Sequence, residues 1–212
     1  MPFFVSNFRK IQTFKDCVVE HFCRYKTQYI FLFVVVLSAF LIGLIAGFKK
    51  AGDTTLEALP DVVFCKYLQC NITLGQFFLS RFFSFVGMLI FIWLLHFNKW
   101  TGLLSITILI YNAFVIGYTS AILISLCRFG GIVNVLLVYL PFHLLTLFCL
   151  IVFTAACINF SFDTCNAGCG KLSMEFFGTI KFVLLTILIL QLVGCVLEII
   201  LLPWLSSAII IT

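Results

Sequence analysis

The sequence predicts an all-α fold, a polytopic transmembrane helical bundle of about five spans that follows an N-terminal amphipathic helix. Of its 212 residues, 63% are hydrophobic and 10% are charged, whereas a soluble domain carries about 25% charged residues. Two apolar runs, 102–126 and 132–158, contain no Lys, Arg, Asp or Glu. Each exceeds the about 20 residues that a helix needs to cross a bilayer. An ordinary soluble fold is therefore excluded, and the 27 phenylalanines are interpreted as adaptation to lipid.

Residues 1–28 form the first unit, a basic segment ahead of the membrane domain 29–212. Apolar residues with helical spacing predict a short amphipathic helix lying on the membrane; they are Phe14, Val18, Val19 and Phe22. The segment holds five Lys or Arg residues, which predicts a cytoplasmic N-terminus in a multi-pass cell-membrane protein. The net charge of +5 is interpreted as topology signal and lipid-headgroup attraction, and no nucleic-acid partner is expected.

The first span is predicted at 29–48 and ends in a pair of glycines. Gly43 and Gly47 lie four residues apart, a spacing of small residues that lets a second helix approach closely. The alternative is a loosely packed pair that faces lipid.

The segment 49–81 is expected to be the longest loop and the largest surface outside the membrane. Its Cys65 and Cys70 either form a disulfide in an oxidising space or remain free thiols. The second span is predicted at 82–97, with Arg81 and Lys99 flanking it.

The third and fourth spans, 102–126 and 132–158, are predicted to form a hairpin with a short loop at the Gly130-Gly131 pair. Asn112 lies within the third span, so its amide is expected to find a partner on another helix. Gly117 follows it as a further packing position. In the fourth span, Pro141 removes a backbone donor and is expected to bend the helix, and His143 lies two residues later.

Residues 159–175 are expected to be a polar loop. Its Cys165 and Cys169 resemble half of a zinc site, but no second ligand pair lies nearby and no metal is predicted. The fifth span, 176–202, contains Glu198 and ends before Pro203. A carboxylate inside a span is costly and so indicates a functional or a structural role.

Four stretches, in this order, carry a resemblance to a known family: LIGLIAG, NAFVIGYTSAIL, VYLPFHLLTLFCLIVFTAA and VLEIILLPW. They combine a Gly-xxx-Gly span end, a small-residue third span, a Leu-Pro in the fourth span and an acidic residue five before a proline. Their arrangement resembles the stage II sporulation protein M family of integral membrane proteins, over nearly the whole chain.

This resemblance implies a non-enzymatic component of the engulfment machinery. Such a protein anchors the peptidoglycan-degrading stage II sporulation proteins D and P at the membrane. The loop 49–81 is the natural contact surface for them, because it projects from the bilayer.

The alternative function is that of a small transporter or channel subunit. Asn112, His143 and Glu198 are the candidate binding residues, and with Pro141 they are expected to line any polar cavity within the bundle. A cavity that joins these residues favours transport, whereas the low charge of the spans favours a scaffold.

An enzyme is disfavoured, because the sequence holds no HExxH motif, phosphate-binding loop or triad pattern. No catalytic residue and no cofactor are predicted. The expected partners are the lipid bilayer and a second copy of the chain. The helix-packing positions are Gly43, Gly47, Gly117, Pro141 and Pro203.

Overall fold

A computed structural model describes residues 25–51, 73–95, 103–167 and 172–209. Within them, side chains are described except at 127, 128, 134, 138, 160–167, 172–182 and 202–209. The expected N-terminal amphipathic helix and the side chains of Cys65, Cys70, Cys165 and Cys169 lie outside this described part.

The described ranges are helical and contain no strand, so the predicted all-α fold is confirmed. The helices are α1 Lys26–Lys50, α2 Leu74–Leu95, α3 Leu104–Asn134, α4 Leu140–Ala167 and α5 Leu172–Ile209, with a π-helical turn at Val135–Tyr139 between α3 and α4. Five segments are long and apolar enough to span a bilayer: Lys26–Lys50, Leu74–Leu95, Leu104–Leu126, Phe129–Asn159 and Val183–Leu201.

Helix α2 begins well before the expected start of the second span at residue 82, so the expectation of a loop up to residue 81 is wrong for 74–81. A capping box explains the early start: the Thr73 N–H donates to Gln76 Oε1 at 3.0 Å. In return, the Gln76 N–H donates to Thr73 Oγ1 at 3.3 Å. These bonds satisfy two donors that a helix N-terminus otherwise leaves open. Arg81 consequently lies two turns inside α2 and does not flank it.

The two last helices are also longer than expected. Residues 159–167 belong to α4, and α5 begins at Leu172, so the expectation of a polar loop over 159–175 is wrong for 159–167 and 172–175. Residues 168–171 lie outside the described part. Helix α5 continues through Pro203 to Ile209, because a proline removes only one backbone donor and a span tolerates this loss.

Helices α1 and α3 pack with their backbones in direct contact at the glycines. Gly43 lies against the backbone of Phe114, and Gly117 lies against the backbone of Phe40 and Leu44. At Gly47, an added Cβ would lie 2.7 Å from both Ala121 Cβ and Tyr118 O. Positions further along α1 therefore meet positions further along α3, so the two helices run parallel, as expected for spans separated by one other span.

The hairpin corner between the third and fourth spans is helical, and the expectation of a glycine loop at Gly130-Gly131 is wrong. The chain nevertheless bends there. A Cβ added to Gly131 would lie 2.9 Å from Ile124 Cα and from the carbonyl carbon of Leu123. A straight helix separates residues eight apart by about 12 Å along its axis. Gly131 therefore serves as a close-approach position within a sharp helical corner.

The outer surface of the bundle is apolar. Phe31, Ile42, Ile45 and Phe83 are each more than half exposed, and each lies inside a span. Contiguous exposed apolar surface of this kind is typical of a membrane-facing or partner-facing side. Together with the five candidate spans, it is consistent with a multi-pass membrane protein, in which lipid covers these side chains.

Candidate functional site

A cavity of about 450 Å³ lies between α2, α3, α4 and α5. Its volume falls within the range of small-molecule pockets, about 300–1,000 Å³. Most of its wall is apolar. The polar side chains on the wall are Arg81, Ser84, Tyr111, Asn112, His143, Thr146, Gln191 and Glu198.

Arg81 and His143 form the central contact of this cavity. Arg81 Nη2 lies 2.9 Å from His143 Nε2, and His143 Nδ1 lies 2.7 Å from the carbonyl oxygen of Tyr139. A carbonyl only accepts, so Nδ1 carries the hydrogen and Nε2 presents a lone pair. Arg81 therefore donates to His143, and the two bonds hold the imidazole as the neutral Nδ1–H tautomer.

The π-helical turn sets the position of His143. The turn ends at Tyr139, two residues before Pro141. Its extra residue rotates the helix that follows the turn relative to the helix that precedes it. The Tyr139 ring stacks on the His143 ring with centroids 3.9 Å apart. Pro141 is exposed and is not part of the cavity wall, so the expectation that it would line the cavity is wrong.

Glu198 supplies the negative charge of the site. Its Oε1 lies 4.0 Å from Arg81 Nη2, and the two side chains are 5% and 19% exposed. Within the described part of the chain, Glu198 Oε1 is buried and has no hydrogen-bond partner. The guanidinium of Arg81 also lies over the Phe77 ring, 5.5 Å from its centroid. The described wall thus carries one positive and one negative charge, close together and largely shielded from solvent.

Gln191 extends the polar wall along α5. Thr146 Oγ1 lies 3.0 Å from the Phe142 carbonyl, and Gln191 Nε2 lies 3.0 Å from Thr146 Oγ1. Because one hydroxyl donates one hydrogen, a Thr146 bond to Phe142 makes Thr146 the acceptor from Gln191. The Gln191 Nε2 also lies 3.7 Å from Cys195 Sγ. The Gln191 Oε1 also lies 3.2 Å from Thr146 Oγ1, so both polar atoms of this amide face the Thr146 hydroxyl.

Asn112 is bonded within its own helix. Its Nδ2 donates to the Ile108 carbonyl at 2.9 Å. The partner of this amide nitrogen therefore lies on α3 itself and not, as expected, on another helix. The carbonyl four residues earlier is the nearest acceptor for such a side chain. Asn112 lines the cavity, and its amide oxygen is an acceptor.

The structure thus brings together Asn112, His143 and Glu198, the three candidate binding residues predicted from the sequence. The sequence interpretation missed Arg81, which was assigned to a flank. The Thr73–Gln76 pattern is the signal that places it inside α2. It also missed Gln191, although Gln191 precedes Glu198 by seven residues and so lies on the same helical face.

Among the side chains that the structure describes, no group of three or more His, Cys, Asp or Glu residues is placed to hold a metal ion. Cys149 and Cys195 are buried free thiols, and the Cys157 side chain is also buried.

Comparison of the chain with protein-family models, with curated proteins and with solved structures finds no match.

Proposed function

We propose that this chain is a small transporter or channel-type membrane protein whose cavity binds a small molecule with polar groups. The observation that supports this proposal is the cavity of about 450 Å³ on which Arg81, Asn112, His143 and Glu198 converge from four helices. Binding sites of membrane transporters lie between helices, near the midplane of the bilayer.

The cost of the site favours a binding role over a purely structural one. Polar side chains within a span are expensive and are tolerated where they meet one another or line a cavity. A structural cluster needs no empty space around it, whereas the polar side chains here border an open volume. A ligand or water that donates a hydrogen bond would satisfy Glu198 Oε1, which has no hydrogen-bond partner among the described residues.

Aqueous access tests this proposal. Thr146→Cys places a thiol on the cavity wall, and we expect a charged, membrane-impermeant methanethiosulfonate reagent to modify it at least about tenfold faster than a thiol that faces lipid, because thiolates form in water. The matched control is Phe148→Cys, two residues away on α4, where the side chain is 53% exposed on the outer surface.

Labelling is measured by mass spectrometry on membrane vesicles, with the parent chain as background because it already has 10 cysteines. Equal modification of the two variants, or modification of Phe148→Cys alone, contradicts the proposal. Protection of Thr146→Cys from both sides of the membrane contradicts it too.

The anchoring role implied by the resemblance to the stage II sporulation protein M family remains a prediction. Its contact surface was placed on 49–81, of which residues 52–72 lie outside the described part. The positive-inside pattern supports a cytoplasmic N-terminus and so places this segment on the opposite side. We expect stage II sporulation proteins D and P to co-purify with the full chain from native membranes. Recovery of equal amounts with a variant in which 52–72 is replaced by a Gly/Ser linker contradicts it.

A further inference from the structure

Two side chains of the cavity wall are exposed although they lie inside spans. Tyr111 is 63% exposed although it lines the cavity, and Ser84 is also exposed. Ser84 is the eleventh of the 22 residues of α2. Tyr111 is the eighth residue of the 23-residue segment Leu104–Leu126. Both therefore lie at bilayer depth, and the cavity opens sideways between α2 and α3 into the space that lipid occupies.

The surroundings of this lateral opening are suited to a hydrocarbon chain. Next to Ser84, Phe83 is 64% exposed on the outer surface. Inside the opening, the wall continues through apolar side chains from three helices, which are Phe85, Met88, Ile108, Leu147 and Leu150. An alkyl chain that passes from the bilayer into the cavity would contact apolar groups throughout. A fully hydrated polar solute would lose its water at bilayer depth before reaching the opening.

Among the described side chains at the polar end of the cavity, one positive and one negative charge balance. Arg81 and Glu198 lie 4.0 Å apart, and His143 accepts from Arg81 as the Nδ1–H tautomer. A ligand that brought one more charge would place it in a site of low dielectric with no opposite charge left over. A neutral group with hydroxyls suits the site better. It can donate to the Glu198 carboxylate, whose Oε1 has no hydrogen-bond partner among the described residues, and to the amide oxygen of Asn112.

The cavity of about 450 Å³ lies within the range of small-molecule pockets, about 300–1,000 Å³. A small headgroup on one alkyl chain requires less of this space than a two-chain phospholipid does.

We infer that the ligand of this cavity is a single-chain amphiphile with an uncharged, hydroxyl-bearing headgroup, which enters from the bilayer between α2 and α3. This inference rests on the proposed binding function and names its substrate class. The headgroup lies beside Arg81, Asn112 and Glu198, and the chain leaves past Ser84 and Tyr111.

Photo-crosslinking of a lipid probe tests the inference. The full chain is placed in phosphatidylcholine nanodiscs, because sugar-headed detergents belong to the inferred ligand class. A diazirine-bearing monoacylglycerol is added, and the crosslinked residues are mapped by mass spectrometry. We expect crosslinks at the cavity wall. We also expect unlabelled monoacylglycerol to compete at least about tenfold better than oleate, which brings a net charge, or lysophosphatidylcholine, whose phosphate and trimethylammonium groups would both have to lose water in the site.

A pair of adjacent substitutions tests the route of entry. Ser84→Trp fills the lateral opening and should reduce crosslinking at the wall at least about tenfold, whereas Phe83→Trp, which points outward at the same depth, should leave it unchanged. Equal competition by the three amphiphiles overturns the inference, as does crosslinking that Ser84→Trp leaves intact. Efficient joining of two chains by a bifunctional reagent at Ser84→Cys also overturns it, because the opening is then a subunit interface.

The failure of this inference can be told apart from the failure of the transport proposal. If Thr146→Cys reacts with the aqueous reagent but monoacylglycerol does not compete, the cavity is a polar-solute site and the amphiphile inference falls. If monoacylglycerol competes but Thr146→Cys is protected from both sides, the amphiphile site stands and transport through water-accessible states falls.

Discussion

Gly43→Ala will destabilise the folded protein, whereas the same substitution at Gly87 will not. A Cβ on Gly43 would lie 3.0 Å from the carbonyl carbon of Phe114 and 3.1 Å from its Cα, in addition to overlapping its carbonyl oxygen. Backbone atoms cannot rotate out of the way as a side chain does, so α1 and α3 must separate along their contact. Overpacking of this kind costs about 1–3 kcal/mol, and the separation also weakens the close van der Waals packing that holds spans together in lipid.

Thermal unfolding in detergent, followed by tryptophan fluorescence, measures this effect. We expect Gly43→Ala to lower the Tm by about 5 °C, from a loss of about 2 kcal/mol. Gly117→Ala is expected to match it, because the added Cβ meets the backbone of Phe40 and Leu44. At Gly194 the Cβ meets only the Leu145 side chain, at 2.6 Å, and a smaller loss is expected.

Gly87 is the matched control because nothing lies within 4 Å of a Cβ placed there. In α2, alanine has a higher helix propensity than glycine by about 1 kcal/mol, so Gly87→Ala should leave the Tm unchanged or raise it. Equal shifts of Tm for Gly43→Ala and Gly87→Ala would mean that the backbone contact between α1 and α3 does not contribute to stability.

Hydrophobicity alone predicts the helical class and the five spans, because length and charge depletion are properties of each segment by itself. The ends of the helices are harder to predict. The expectation placed the start of α2 at the edge of the strongest apolar run, whereas hydrogen bonds between Thr73 and Gln76 extend the helix into polar sequence. The earlier helix start places Arg81 inside the bundle and not beside it. Because one helix end was predicted wrongly, the sequence interpretation missed the only cation among the described residues of the cavity wall.

The candidate residues Asn112, His143 and Glu198 could be chosen from the sequence because polar groups in apolar runs are costly wherever they lie. The distances between these residues could not be predicted, because they depend on how each of the four helices is rotated about its own axis. The π-helical turn at Val135–Tyr139 is one such determinant, since its extra residue changes which face of α4 points inward. Pro141 indicated a local irregularity of the helix. It did not indicate that His143 would line the cavity while Pro141 itself would not.

Arg81→Met alone will lower the free energy of unfolding by more than half of the loss that the double substitution, Arg81→Met with Glu198→Leu, causes. Glu198 is 4% exposed, and Arg81 is the described cation nearest to it, at 4.0 Å. Loss of one partner of a buried charge pair leaves the other charge without compensation and costs about 3–5 kcal/mol. Replacement of both by apolar groups removes the uncompensated charge, so a large part of that cost is recovered.

A double-mutant cycle measures the coupling. The Tm and the free energy of unfolding are determined for the parent, for Arg81→Met, for Glu198→Leu and for the double variant. We expect a coupling of about 1–3 kcal/mol between the two positions, within the range for residues in one charged network. The control is Ser84→Ala combined with Glu198→Leu. Ser84 is on the same helix and the same cavity wall but carries no charge, so this pair should be additive.

Two results would contradict this account, and they differ in meaning. Additive effects of Arg81→Met and Glu198→Leu would mean that the 4.0 Å approach contributes no interaction energy, and that Arg81 is held by its other contacts, which include His143 and Phe77. A nearly neutral Arg81→Met together with a costly Glu198→Leu would mean that Glu198 needs no cation and is held in its neutral form. In that second case the wall carries a net positive charge from Arg81, and an anionic headgroup such as oleate becomes the better ligand. The cycle therefore tests the charge balance from which the uncharged headgroup was inferred.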